Sequence, residues 1–144
     1  MLCVMNKTAS TQLLPLFRML LAMACMIYLG MVMLLYLGQS AFIYQQKPDY
    51  DMRGVAVMQL PGQETRLKIH RVNEGRPSAV LYFGGNAEAV VLGAPEFGQA
   101  LREHTIYFMN YRGYGGSEGK PGEQALYEDA LTLYDHVASS HQQV

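Results

Sequence analysis

The chain has 144 residues, a length suited to a single domain, and a formal net charge of −1. Lys7 and Arg18 aside, nine basic residues face twelve acidic ones, so no basic face is available for a phosphate backbone and no nucleic-acid partner is expected. The two cysteines, Cys3 and Cys25, both lie early in the chain, which excludes a disulfide framework and a cysteine metal site elsewhere; no metal and no cofactor is expected.

Residues 19–44 carry no charge, and about 20 apolar residues in helical form cross the hydrocarbon of a bilayer. The expected organisation is an amino-terminal tail over 1–18, a transmembrane anchor over 19–44, a linker over 45–52 and a folded domain over 53–144. Ala22-Met23-Ala24 has the small-x-small form of a signal cleavage site, but cutting there leaves an apolar new terminus. Cys25 lacks the bulky aliphatic residue expected three places before a lipoprotein acceptor, and a core helix would be amphipathic rather than apolar all round. An uncleaved anchor therefore fits the stretch best. Lys7 and Arg18 precede it, while Lys47 and Arg53 follow it beside Asp49 and Asp51, a thin bias placing the amino terminus in the cytoplasm.

After the linker around Pro48, residues 53–60 and 64–72 alternate in hydrophobicity across a Pro61-Gly62 turn, which predicts an antiparallel hairpin. His70 is read there as an exposed strand histidine. The run from Ala79 to Phe83 is continuously apolar, as in a strand covered on both faces of a parallel sheet. It empties into Gly84-Gly85-Asn86-Ala87, where a sharp turn would expose amide groups of the kind that stabilise an oxyanion; an ordinary strand-ending turn is the alternative. A short helix over 95–102 and a strand over 105–111 follow, giving a parallel pair through a right-handed crossover. Residues 122–141 place Leu126, Ala130, Leu133 and Val137 on one helical face, with Asp129 and Asp135 read as solvated charges. The alternation of strand and helix predicts an α/β fold.

Gly115-Gly116-Ser117-Glu118-Gly119 satisfies G-x-S-x-G, the pattern of a serine nucleophile on a strand-to-helix turn. Lys120, Pro121 and Gly122 postpone the helix, and the downstream histidines, His136 and His141, share that one helix. Ser117 is therefore expected to be a turn serine bonded to nearby backbone, and no catalytic residue is assigned.

Two stretches together, Leu81-Tyr82-Phe83-Gly84-Gly85-Asn86-Ala87 and Asn110-Tyr111-Arg112-Gly113-Tyr114-Gly115-Gly116-Ser117-Glu118-Gly119-Lys120-Pro121, resemble the first half of membrane-anchored α/β-hydrolases of the serine aminopeptidase-like group. The resemblance implies an oxyanion segment at Gly85, Asn86 and Ala87, and a structural turn at Tyr111, Arg112, Gly113, Tyr114, Gly115 and Ser117. It implies hydrolysis of an ester, thioester or amide through an acyl-enzyme, with a strand order of one-two-four-three. Nucleophile, acid and catalytic histidine would follow a further strand beyond Val144. The chain is thus expected to be a truncated, inactive hydrolase, or alternatively a non-catalytic membrane-anchored binding or assembly module. The strand from Ala79 to Phe83 would then be an edge prone to self-association or to pairing with a complementary fragment.

Overall fold

A computed structural model describes residues 5–61 and 65–144, with side chains described from residue 13 onward, and divides the chain into two compact units, Met1–Ile43 and Tyr44–Val144. Cys3, and Gly62 and Glu64 of the expected hairpin, lie outside the described residues.

The first unit is one helix, α1 (Met5–Ile43), which begins well before the charge-free stretch. Its apolar part, Leu13–Ile43, is 31 residues long with a mean hydropathy of 2.3, and none of its most apolar window is buried. At about 1.5 Å per residue it exceeds the roughly 30 Å of bilayer hydrocarbon, so it is long and apolar enough to cross a membrane.

The second unit is a four-stranded mixed sheet with helices: β1 (Ala56–Pro61), β2 (Arg66–Val72), β3 (Ser78–Phe83), α2 (Ala94–Ala100), β4 (His104–Met109) and α3 (Glu123–Ala138). The order is β1-β2-β4-β3, with β1 and β4 antiparallel to β2 and β3 parallel to β4. The first strand starts three residues later than its alternation predicts, because Gly54 turns through φ +79° and Val55 N–H closes onto the Met52 carbonyl.

Side chains alternate across a strand, so β4 feeds two cores. Tyr107 and Met109 join Leu67, Ile69, Leu133 and Val137 on one face, whereas Ile106 and Phe108 join Val90 and Ala94 on the other. Full burial of such a side chain stabilises the fold by about 1.5–3 kcal/mol. On the second face the rings of Tyr82, Phe97 and Phe108 lie with centroids 4.7–5.8 Å apart in tilted and edge-on contacts.

Two polar residues read as solvent-facing, His70 and Asp129, are corrected by this packing. His70 is 1% exposed and Lys68 7%, since the face of β2 opposite Leu67 and Ile69 is itself covered. Residues 47–51 supply part of that cover: Gly115 N–H donates to the Lys47 carbonyl at 3.0 Å, and Lys68 Nζ donates to Asp49 at 2.7 Å and Asp51 at 3.0 Å. The segment expected as a linker is irregular in conformation but fastened to the sheet. Asp129, the second, is 1% exposed because it lies four residues before Leu133 on the buried stripe of α3.

Candidate functional site

Both glycine-rich motifs sit at the carboxyl ends of the adjacent parallel strands β3 and β4, where ligands bind in open α/β sheets. Tyr111 joins them, its hydroxyl donating to the Gly84 carbonyl at 3.0 Å. Burial raises the Tyr111 pKa above its ordinary value, so the hydroxyl stays protonated as a donor at neutral pH.

At the end of β3, a Cβ on Gly84 would collide with Val90 Cγ1, so glycine lets the following one-turn helix (Val90–Gly93) pack against the strand. Gly85 N–H, a predicted oxyanion donor, already donates to Glu88 Oε2 at 2.7 Å, and Glu88 Oε1 accepts from the Tyr82 hydroxyl at 2.8 Å. That bond to Glu88, and to a lesser extent burial, raises the Tyr82 pKa. Asn86 is exposed and Ala87 takes φ +60°, a left-handed conformation uncommon for alanine. The carboxylate of Glu88 thus occupies the Gly85 amide that was expected to be an oxyanion donor, and its place three residues after Gly85 was the signal to look for.

After β4 the chain folds into a knot of internal bonds. Ser117 is 8% exposed; its Oγ accepts from Lys68 N–H at 2.8 Å and donates to the Asn110 carbonyl at 2.8 Å. With Ile69 opposite Met109, Lys68 and Asn110 are the next pair of the β2–β4 ladder, and Asn110 N–H still reaches the Lys68 carbonyl at 3.2 Å. The serine hydroxyl is inserted into the reciprocal half of that rung. Its partners are backbone, as expected, but one lies on a distant strand. The helix follows six residues later, at Glu123.

Asn110 Nδ2 donates to the Gly115 carbonyl at 2.8 Å and lies 3.1 Å from His70 Nε2. Burial, then the nearby Lys68 charge, lowers the His70 pKa and favours the neutral ring, which can accept from that amide. Gly115 has φ +47°, and a Cβ there would lie 2.7 Å from the Asn110 amide. Arg112, read only as part of a turn, forms a two-pronged ion pair with Asp129 at 2.7 and 2.6 Å, tying the turn to α3. Tyr114 N–H and Ser117 N–H close two successive tight turns at 2.8 Å each. Gly113 donates back to the Ser117 and Glu118 carbonyls at 3.2 and 3.1 Å. Among the described residues no group of three metal-ligating side chains comes together.

No family model matches the chain. It is similar to multifunctional-autoprocessing repeats-in-toxin proteins of Vibrio vulnificus, 33% identical over 78 residues covering 46% of this chain and 1% of the toxin, and of Vibrio cholerae, 33% identical over 66 residues covering 42% and 1%. It is also similar to the alpha/beta hydrolase domain-containing protein WAV2 of Arabidopsis thaliana, 42% identical over 33 residues, which cover 23% of this chain and 11% of the plant protein. The chain therefore spans a small fraction of each relative's length, and the likeness to an α/β-hydrolase-domain protein is short.

Proposed function

We propose that the Tyr44–Val144 unit is the amino-terminal half of a serine-hydrolase-type α/β domain, carried on a membrane anchor formed by α1, and that it does not complete an active site alone. The observation that carries this reading is at the outer edge of β3. Ala79 N–H donates to the Gln143 carbonyl at 2.8 Å, and Ser78 and Gln143 form an isolated parallel bridge. The chain leaving α3 thus pairs at one rung beside β3, which supports a further parallel strand there by the same kind of crossover that joins β3 to β4.

Backbone groups alternate along a strand, so the amides of Leu81 and Phe83 face the same open edge as that of Ala79. In the resembled family the nucleophile follows that further strand. Hydrolysis of an ester, thioester or amide therefore belongs to the domain completed there. Asn86 and Ala87 would supply oxyanion donors, and Gly85 would do so once Glu88 is displaced. Tyr111 through Ser117 serve as the structural turn, and the amino terminus faces the cytoplasm.

A fluorophosphonate probe applied to the full chain in neutral detergent is expected to leave it unlabelled; labelling that disappears in Ser117→Ala would overturn the reading. The open edge equally favours a non-catalytic assembly module. Fusing the carboxyl-terminal half of an α/β-hydrolase after Val144 separates the two, since only a hydrolase half-domain gains labelling. The anchor is tested by alkaline carbonate washing of membranes, which should leave the chain in the pellet.

A further inference from the structure

We propose that a cleft at the opposite end of the sheet, between the β2–β3 turn and the carboxyl-terminal end of α3, binds the oxyanion of a small molecule, a phosphate or carboxylate group, at Arg71. The cleft has a volume of about 570 Å³, within the range of small-molecule sites. It lies by Pro77 and Thr105, at the amino ends of β3 and β4, away from the Gly84 turn.

Its charge is one-sided. Arg71 and Arg76 line it, and Glu74 is the one acid among the lining residues. Glu74 does not satisfy Arg71: their nearest approach is 3.5 Å, to Nη2, with the carboxylate side chain 46% exposed. Arg71 Nε is buried and has no hydrogen-bond partner. A buried guanidinium nitrogen without an acceptor is costly, and a bound oxyanion would relieve that cost through the fork geometry that arginine offers carboxylates and phosphates.

Tyr107 borders the same space with its hydroxyl in contact with Arg71 and Ser140; burial holds its pKa up, outweighing the Arg71 charge and those two contacts. A helix carboxyl terminus repels anions, but here its carbonyls are already covered. Ser139 Oγ donates to the His136 carbonyl at 2.7 Å and Ser140 Oγ to the Val137 carbonyl at 3.1 Å, while His141 Nδ1 lies 3.1 Å from the same Val137 oxygen. Thr105 Oγ1 is likewise engaged, accepting from Arg76 N–H and donating to the Asn73 carbonyl. The two guanidinium groups are the donors left to meet a ligand.

The test is a titration of the full chain in phosphatidylcholine nanodiscs with inorganic phosphate or citrate, against chloride at matched ionic strength, read by thermal midpoint and tyrosine fluorescence. One or both oxyanions should raise the midpoint where chloride does not, and the more effective one identifies the group. Arg71→Gln should weaken the response at least about tenfold, the scale of losing a charge-assisted hydrogen bond. Arg76→Gln, an exposed side chain whose loss spares the fold, should weaken it severalfold. A response confined to discs containing phosphatidate assigns the phosphate to a lipid headgroup. Equal shifts with chloride, or undiminished binding by both arginine variants, would overturn the proposal.

Discussion

Replacing Ser117 by alanine separates a structural serine from a nucleophilic one. Its hydroxyl occupies half of the Lys68–Asn110 rung, accepting from one buried backbone group and donating to another at 2.8 Å each. Alanine leaves the Lys68 N–H and the Asn110 carbonyl facing each other across the space the hydroxyl filled. Each unsatisfied buried group costs about 1–3 kcal/mol, and partial closure of the rung recovers some of it, so a loss of about 2–4 kcal/mol is expected. For a unit of this size that lowers the thermal midpoint by about 4–8 °C per kcal/mol. Near-ultraviolet circular dichroism in neutral detergent reads it directly, because the chain has ten tyrosines and no tryptophan. A loss below about 0.5 kcal/mol, the ordinary range for an uninvolved surface position, would refute the inserted-hydroxyl argument.

Asp129→Ala should cost about 3–5 kcal/mol in the same assay, since it removes the carboxylate of a buried ion pair, and the double change Arg112→Met with Asp129→Leu should recover most of the loss. Gly116→Ala should cost about 1–2 kcal/mol, because φ is +87° and the new Cβ would lie 2.7 Å from Asp49 Oδ2; faster proteolysis within residues 47–51 would report release of that segment. His70 has a pKa below its ordinary 6.5 in the folded state, so the unfolded chain binds more protons as pH falls below that value. Stability should therefore be complete above about pH 6.5 and decline below it, and His70→Gln should flatten the decline. Phe83→Pro removes an edge-facing amide at the end of β3 without touching the β4 ladder, and should shift any self-associated chain in detergent toward monomer by light scattering; an unchanged mass would show that another surface drives association.

The sheet was largely legible because its signals are local. Alternation marked the hairpin, the apolar run marked β3, and the spacing of Leu126, Ala130, Leu133 and Val137 marked α3. The site was legible as two turns but not as a set of bonds. Asp129 shares the stripe of Leu133 and Val137 and was open to a reading as a buried charge; what hid it was that its partner, Arg112, sits on a turn 17 residues away. His70 and Lys68 gave no such hint. Their burial depends on residues 47–51 folding over them, a contact that no periodicity within β2 encodes.

The sequence by itself therefore determined what short-range chemistry can state: a helix apolar enough to cross a membrane, the strands and helices of an α/β unit, and glycine turns at two strand ends. Tertiary structure alone decided that Glu88 occupies the Gly85 amide, that the Ser117 hydroxyl completes a ladder rung, that Arg71 Nε is left without a partner, and that Gln143 begins to pair with β3. The physical reason is that a hydrogen bond or a burial is a property of two segments at once. Which segment lies opposite is settled only when the whole sheet and its covering layers pack.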